Sequence, residues 1–307
     1  MKNLFAKVQR TLHCQWNHFL WNFSKAVNSD WFDHVRFKQT TGRKLDYKNP
    51  LWLNDKLTWL NRFWIPTLKV QCTDKIAVRN YLQSIDIQYV NTPPILGIWK
   101  RAEDIDFQSL PSQFVLKCNH GCGYNIIVRN KELLNIQQTI SMLNGWLKED
   151  YGKKHNEYHY SYIEPKIFAE EYMSDIDETG NIVDYKLMCV GGKPSFFLVC
   201  RERDSYGKAL LSSYSLDWKR MNGLKKEDKT TISKPNGLNI MIAAAERIAK
   251  DFPFVRVDFY YNYGKVYIGE LTFTPEACLL DYCTDRVLKD YGEKLILPPK
   301  VNDFQSR

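Results

Sequence analysis

The sequence lacks the long apolar runs, paired cysteines and glycine-rich repeats that place many chains in a class at once. None of its stretches approaches about 18 consecutive apolar residues, which argues against a transmembrane helix. The N-terminus has no compact apolar segment followed by small residues, so we expect no secretory signal. Glycine and proline number only 15 and 12, too few for a low-complexity chain. The 307 residues, 44% of them apolar, suffice for a globular chain with a large core.

The common signatures of metal and nucleotide sites are also missing. None of the eight cysteines forms a C-x-x-C pair, which favours free thiols in a reducing cytoplasm over a disulfide framework or a structural zinc site. The sequence contains no G-x-x-x-x-G-K-[ST] loop, and Gly121 and Gly123 lack the third glycine of a dinucleotide fingerprint. It contains neither H-E-x-x-H nor G-x-S-x-G, which weakens the zinc-protease and α/β-hydrolase interpretations.

Positive charge is present but is confined to the start of the chain. The net charge is +8. Residues 1–71 carry 12 Lys and Arg against 4 Asp and Glu, while the remaining 236 residues carry 31 of each sign. This distribution argues against a uniformly basic protein that binds nucleic acid, and we expect no such partner.

The first 25 residues predict an amphipathic helix. Apolar side chains recur there at spacings of 3 and 4, which is the spacing of one helix face: Phe5, Val8, Leu12, Trp16, Phe19 and Phe23. Because basic residues lie on the other faces of this helix, residues 1–25 could bind weakly to the anionic cytoplasmic surface of the membrane. The alternative, which we favour, is that the apolar stripe docks on the following domain.

The rest of the chain predicts a mixture of helices and strands. Helices are expected in 50–70, where Pro66 ends the helix, at 72–85 with Thr73 as the N-cap, at 132–148 and at 236–251. Strands are expected at 114–119, 126–130 and 166–173, with hairpins at 183–202 and 255–273. The pattern indicates an α+β or α/β protein with an antiparallel sheet in its C-terminal two thirds.

The last of these hairpins carries acidic residues where a buried strand would exclude them. Arg256 and Asp258 share one face of its first strand, and Ile268, Glu270 and Thr272 share one face of its second strand. If the connecting loop has an odd number of residues, the two carboxylates become cross-strand neighbours. Since they would then repel each other, we expect a hard divalent cation such as Mg²⁺ between them, in preference to a solvated sheet face.

Three further segments place charged residues on predicted strands. Lys117 precedes the two glycines named above, and a lysine beside a flexible turn of backbone N–H groups can bind phosphate. Glu170 and Glu171 are adjacent at a strand end, where one of them should face inward and accept from a sugar hydroxyl or an adenine amino group. Lys186 adds a second lysine at the start of the following hairpin.

Together these segments resemble the TupA-like family of teichuronopeptide biosynthesis, within the ATP-grasp superfamily. The resemblance lies, between about residue 47 and residue 280, in the strings LNDKLTWL, TDKIAVRNYL, LPSQFVLKCNHGCG, YIEPKIFAEEYM, DYKLMCVGGKP and FPFVRVDFYYNYGKVYIGELTFTPEA. It implies an ATP-grasp fold, in which antiparallel sheets and helices hold a nucleotide between two subdomains, after a helical N-terminal region. The divisions expected are a basic segment at 1–45, a preceding region at 46–111, a small lobe at 112–165, a large lobe at 166–295 and a tail at 296–307.

The resemblance also implies roles for individual side chains. The residues implied to bind the ATP phosphates are Lys117, Gly121, Gly123 and Lys186, and those implied to bind adenosine are Glu170 and Glu171. Asp258 and Glu270 are implied to bind Mg²⁺. Arg256 and Lys186 are implied to act in catalysis at the transferred phosphoryl group. Two positions depart from the family pattern. The usual E-x-N metal triad is Glu270-Leu271-Thr272, and the first of two superfamily lysines corresponds to Lys75 by motif or to Lys100 by spacing.

The activity implied by the resemblance is the ATP-dependent formation of an amide. A substrate carboxylate would attack the γ-phosphorus of ATP, and an amine would then take the acyl group from the acyl phosphate. The implied partners are an amino acid or peptide and a carboxylate-bearing glycan or glycan precursor, such as a uronic acid of a surface polysaccharide. Two other interpretations stay open: a sugar-transferring enzyme of the same pathway, which would consume a sugar nucleotide, and a non-catalytic protein that binds glycans or membranes.

Overall fold

The chain divides into two compact units, Met1–Pro50 and Leu51–Arg307. The computed structural model describes residues 29–173, 183–203, 209–262 and 264–304. In the first unit, helix α1 spans Ser29–Thr41. The predicted amphipathic stripe of residues 1–25 lies outside the described residues.

The second unit begins with short helices that are interrupted at Pro66. Helix α2 (Leu53–Phe63) leads into strand β1 (Trp64–Ile65), and helices α3 (Thr67–Thr73) and α4 (Val78–Ser84) follow. The helix predicted in 50–70 therefore ends just before Pro66, as expected, and a second helix that was not predicted begins at Thr67. Proline disfavours the helical conformation of the residue before it, so Ile65 is extended and Pro66 becomes the N-cap of α3.

The prediction that Thr73 caps the next helix is wrong, because Thr73 is the last residue of α3. Its hydroxyl donates to the carbonyl of Lys69 at 2.8 Å. The following turn is closed instead by Asp74, whose Oδ1 accepts from the backbone N–H groups two and three residues further on. This turn fixes Lys75 just before α4.

A smaller, antiparallel sheet follows, with strand order β2-β5-β3-β4 within the described residues. Its strands and the two helices between them are β2 (Ile95–Trp99), β3 (Phe114–Cys118), β4 (Asn125–Val128), α5 (Ile136–Leu147), α6 (Tyr151–His155) and β5 (Ile167–Glu171). Phe114 and Leu116 are fully buried on the face that packs towards α5. Lys117 and Glu170 lie on the other face, because side chains alternate along a strand.

The larger sheet is antiparallel throughout, with strand order β10-β9-β6-β7-β8 in the part of the chain that the structure describes. Its strands, with the helix between the third and fourth, are β6 (Val183–Val190), β7 (Lys193–Arg203), β8 (Ala209–Tyr214), α7 (Leu238–Ala249), β9 (Phe254–Asn262) and β10 (Lys265–Thr272). Helix α7 packs against this sheet through Met241, Ala244 and Ile248, all fully buried. One part of the core therefore lies between the larger sheet and this helix, and another lies between the smaller sheet and α5.

Both predicted hairpins are present in the larger sheet. The turn between β6 and β7 consists of Gly191 and Gly192, whose φ angles of 62° and 76° lie in the left-handed region that favours glycine. The turn between β9 and β10 also has two residues, since Asn262 pairs with Lys265. The loop is thus even, whereas a direct pairing of the two predicted carboxylates required an odd one.

A β-bulge at Gly269 supplies the odd residue within the strand. A regular ladder from this turn would pair Asp258 with Gly269, but the register shifts by one residue after Ile268, and Asp258 pairs with Glu270. A Cβ at position 269 would lie 2.4 Å from the ring of Tyr260, so the bulge needs glycine there as long as the ring keeps its place. The shift also corrects one expectation: Ile268, 3% exposed, lies on the core face and does not share the face of Glu270.

The last elements are helix α8 (Asp285–Lys294) and strand β11 (Val301–Asn302), which pairs in parallel with β1.

The smaller sheet combines segments that the sequence assigned to different divisions, because β2 falls within 46–111 and β5 within 166–295. Within the described ranges, no helix has both the length and the apolar character needed to cross a membrane.

Candidate functional site

Four of the predicted site residues, together with Thr272, meet on one face of the larger sheet. Asp258 on β9 lies opposite Lys186 on β6 and opposite Glu270 on β10. Lys186 donates to Asp258 Oδ2 at 2.7 Å, and Arg256 donates to both oxygens of Asp258 at 2.6 and 2.7 Å. Arg256 also donates to Glu270 Oε1 at 3.3 Å and to Thr272 Oγ1 at 3.1 Å. We call this set the acidic cluster.

Mutual neutralisation allows these charges to be buried. Asp258 is 2% exposed and Arg256 is 8% exposed. Burial disfavours the charged form of Asp258, but the positive charges of Arg256 and Lys186 outweigh it and lower the pKa of that carboxyl. Burial acts against the ammonium of Lys186 as well, but the carboxylates of Asp258 and of Asp184, which is 3.3 Å away, raise its pKa. Buried groups with such opposed effects are typical of functional sites.

The oxygen donors of the acidic cluster suit a hard divalent cation. Asp258, Glu270 and Thr272 offer carboxylate and hydroxyl oxygens, the ligand type that Mg²⁺ prefers. The side chain of Glu270 is 29% exposed and that of Asp258 is 3% exposed, so Glu270 is the more open of the two acids. Among the described residues, no group of three or more His, Cys, Asp and Glu side chains could hold a metal ion by itself. A cation here would need further oxygens from a bound phosphate.

A second cluster lies on the face of the smaller sheet that carries Lys117. The ammonium of Lys117 contacts Oε1 of Glu170, and the guanidinium of Arg79 on α4 lies 3.5 Å from Oε2. Arg79 also donates to Thr92 Oγ1 at 2.8 Å. Glu170 is 6% exposed, whereas Glu171 is exposed and alternates to the other side of the strand. The structure therefore brings Lys117 and Glu170 together, leaves Glu171 apart, and adds Arg79, which sequence reasoning missed.

The loop after β3 begins just beyond Lys117 and contains the two glycines that the sequence singled out. Gly123 has a φ of 76°, and nothing lies within 4 Å of the position that its Cβ would occupy. Lys75 donates from Nζ to the carbonyl oxygen of Gly121.

Of the two candidates for the first superfamily lysine, only Lys75 lies at this loop. Its backbone N–H also donates to the carbonyl of Asn119, and the Asn119 amide donates to Asp74 Oδ2 at 2.9 Å. Lys100 is at the surface, with its side chain 75% exposed and 3.3 Å from Glu164. The contacts therefore favour Lys75, the candidate that the TDK motif indicated.

A strained turn follows strand β10, which carries Glu270. Three consecutive non-glycine residues, Glu276, Ala277 and Cys278, have φ angles of 49°, 48° and 75°. Such left-handed values cost on the order of 1 kcal/mol or more for each residue and are found chiefly where the surrounding structure enforces them, often at functional sites. Just before the turn, the hydroxyl of Thr274 contacts the buried carboxylate of Glu157.

Tyr282 is a further residue near the acidic cluster that the sequence did not single out. Its hydroxyl is buried and has no hydrogen-bond partner among the described residues. Burial raises the pKa of this phenol, and Arg256 and Asp258 are among the charged groups close enough to act on it.

Two antiparallel sheets, each with a cluster of buried charged side chains, are what an ATP-grasp protein requires. Within that class, the chain belongs to the TupA-like ATP-grasp family, whose family model matches residues 55–295, most of the chain. The family and the fold class expected from the sequence are thus confirmed. No curated protein matches the chain.

Several solved structures are similar to this chain at low identity. The D-alanine–D-alanine ligase from Bacillus anthracis is 18% identical, with a TM-score of 0.42 over 79% of this chain and 65% of that one. The D-alanine–D-alanine ligase from Helicobacter pylori is 14% identical, with a TM-score of 0.47 over 80% and 69%. D-alanyl-alanine synthetase A from Vibrio cholerae is 13% identical, with a TM-score of 0.44 over 80% and 66%. The present chain thus spans slightly less than two thirds of the Bacillus anthracis ligase.

Proposed function

We propose that the protein is an ATP-dependent ligase that joins a carboxylate to an amine and releases ADP and phosphate. The observation that carries this proposal is the direct pairing of Asp258 with Glu270, beside Arg256 and Lys186. Phosphoryl transfer requires a cation that bridges phosphate oxygens and basic side chains that neutralise the developing charge, and this sheet face offers groups for both. Membership of the ATP-grasp class supports ATP as the phosphoryl donor.

In this proposal the smaller sheet binds the nucleotide. Lys117 and the backbone N–H groups of the loop that follows it bind phosphates, and Glu170 accepts from the nucleoside. Ile127, 53% exposed, lies on the same sheet face, across Val115 from Glu170, and offers an apolar surface for the adenine ring. The side chain of Glu171 faces the other side of the strand and takes no part in binding the nucleoside in this proposal.

The acidic cluster would carry the chemical step. Asp258 and Glu270 would hold Mg²⁺, which would supply positive charge to the phosphates, while Arg256 and Lys186 face the transferred group. A carboxylate oxygen of the substrate attacks the γ-phosphorus, the bond to the β,γ-bridging oxygen breaks, and ADP leaves. The nitrogen of the amine then attacks the acyl carbon, phosphate leaves and a proton is lost from nitrogen. Positioning and charge are sufficient for both steps, so no side chain has to act as a nucleophile.

We infer that the carboxylate belongs to a uronic acid of a surface polysaccharide or its precursor, and that the amine is an amino acid or a short peptide. The resemblance to the teichuronopeptide-biosynthesis family supports this choice of substrates. The Arg256 guanidinium suits a carboxylate or an acyl phosphate, since its planar donors bind such groups in pairs. The reaction belongs in the cytoplasm, where ATP is available, and contact of residues 1–25 with the membrane is a separate prediction.

The test measures ADP released from ATP and Mg²⁺ in the presence of uronate oligosaccharides and pooled amino acids. ADP is expected only when both substrates are present, together with a product whose mass equals oligosaccharide plus amino acid minus water. Glu270→Gln serves as the inactive control. ADP release that does not depend on an amine, or consumption of a sugar nucleotide in place of ATP, would contradict the proposal.

A further inference from the structure

Arg79 and Lys117 share one carboxylate, that of Glu170. Lys117 contacts Oε1, and Nη2 of Arg79 lies 3.5 Å from Oε2. The side chain of Glu170 is 8% exposed, that of Arg79 is 18% exposed and that of Lys117 is 26% exposed. Arg79 is held on its other side by the 2.8 Å hydrogen bond to Thr92. Arg79 is therefore fixed against the carboxylate, while Lys117 is the more accessible of its two counter-ions.

The pairing of Lys117 with Glu170 competes with the nucleotide-binding roles proposed above. The ammonium of Lys117 has to turn from the carboxylate towards phosphate when ATP binds. A buried carboxylate that loses its sole counter-ion is strongly destabilised, because little water is available to replace the lost interaction. Glu170 avoids this state, since Arg79 stays in place on its second oxygen.

We propose that Arg79 is a positioning residue that keeps Glu170 neutralised and so releases Lys117 to the phosphates of ATP. This inference rests on the proposed function, since it concerns the same nucleotide site. Without Arg79, Glu170 depends on Lys117 alone, and ATP has to break that buried ion pair in order to bind. Adenosine, which has no phosphate, does not require the exchange.

The test compares the affinities for ATP and for adenosine by titration calorimetry, because their ratio isolates the contribution of the phosphates. In Arg79→Met the ratio of ATP to adenosine affinity should fall about tenfold, the size of one lost interaction with a charged group. Adding Glu170→Gln should restore the ratio to that of Glu170→Gln alone, because Lys117 then has no carboxylate to hold it. A residue that contacted phosphate directly, or that only supported the fold, would not show this reversal.

A second variant and a control keep the test independent of folding defects. Thr92→Val removes the hydrogen bond that holds Arg79 and should lower the ratio in the same direction by a smaller factor. Arg101→Met is the matched control, since the Arg101 side chain is 68% exposed and lies near the surface acid Glu103, and the ratio should not change. Thermal unfolding of each variant shows whether it is folded.

An unchanged ratio in Arg79→Met and Thr92→Val would overturn the inference, as would a fall that persists after Glu170→Gln is added. If the unaltered protein binds ATP no better than adenosine, or binds neither, the proposed function fails and the inference fails with it. The two failures are therefore distinguished by the affinities of the unaltered protein.

Discussion

At the scale of single residues, the two acids of the candidate metal centre play different structural parts. Asp258 accepts from Arg256 on both oxygens and from Lys186 on one, and it is almost fully buried. Glu270 is contacted by Arg256 at a longer distance and is partly open to solvent. Asp258 thus holds the cluster together, whereas Glu270 is the acid that a bound nucleotide can approach.

This difference predicts separate outcomes for two conservative changes. Glu270→Gln should fold normally and lose ADP release by on the order of 100-fold or more, because charge stabilisation by a bound ion is worth several kcal/mol. Asp258→Asn should also be inactive, but its free energy of unfolding should fall by about 3–5 kcal/mol, because Arg256 and Lys186 lose a buried partner. Steady-state ADP assays and urea unfolding check both results. Rates near that of the unaltered protein in both variants would remove the metal assignment.

A buried lysine outside the cluster makes stability depend on pH. Lys69 is 1% exposed and donates to the carbonyls of Leu60 and Trp64 at 3.2 and 3.0 Å. Burial lowers the pKa of Lys69 from 10.5 to about 7. Above pH 7 the unfolded chain therefore holds a proton on this side chain that the folded chain does not hold. Stability must then rise with pH from about 7 upwards, and below pH 7 this contribution no longer changes.

The comparison of the unaltered protein with Lys69→Met measures this contribution. Between pH 7 and 8.5, the difference in free energy of unfolding should move in favour of the unaltered protein, by up to about 1.4 kcal/mol per pH unit. Taking the difference cancels buried thiols such as Cys72, whose pKa is raised by burial and whose effect on stability has the opposite sign. Urea unfolding at three pH values is sufficient. A difference that does not change with pH would mean that Lys69 stays protonated in the folded protein.

At the scale of secondary-structure elements, the bulge in β10 decides which acids meet. Gly269→Ala should cost about 1–3 kcal/mol of stability, because the new Cβ overlaps the ring of Tyr260. It should also lower activity, since Glu270 would leave its place opposite Asp258. Adding Tyr260→Ala should remove most of the stability cost. Gly145→Ala in α5 is the control: nothing lies within 4 Å of its Cβ position, and alanine should stabilise the helix by up to about 1 kcal/mol.

If Gly269→Ala is neutral both with and without Tyr260, the bulge does not depend on that glycine. Urea unfolding and ADP release together distinguish this case from a loss of fold.

The bulge also shows which part of the site could be predicted from sequence. Alternation along a strand is local, and it correctly placed Arg256 and Asp258 on one face. The register between strands is not local, because it depends on a ring of β9 packing over a glycine of β10. Sequence reasoning therefore identified the residues that meet but assigned the extra residue to the loop. It also missed Arg79, whose role comes from α4 lying near β5 and not from any spacing along the chain.

Helix ends were predicted less well than helix positions. Helix α5 begins at Ile136, not at 132, because the Asn135 side chain accepts from the N–H of Gln138 and caps the helix there. Leu133, which fitted the apolar pattern, is 83% exposed before the helix starts. Periodicity identified the helix, but the choice among competing caps was decided by the fold.

At the scale of the whole molecule, the excess positive charge and the candidate nucleotide site belong to different parts of the chain. The family match begins at residue 55, whereas residues 1–71 carry the entire net charge. Residues 72–307, which hold both clusters, carry 31 basic and 31 acidic residues, as suits a site whose acids and bases pair with each other. The charge at the front of the chain therefore needs an explanation separate from catalysis.

Deletion of residues 1–25 tests that explanation. With the apolar stripe docked on the protein, the interpretation we favour, the deletion should lower the melting temperature, and the full chain should not sediment with anionic vesicles at low salt. With the stripe on a membrane, the shortened chain should stay equally stable, and only the full chain should sediment. In that case binding should weaken with salt, since each basic residue near the surface contributes about 1 kcal/mol. Lys2→Glu combined with Lys7→Glu, which leaves the apolar stripe intact, should then abolish sedimentation, and vesicles of neutral lipid provide the control.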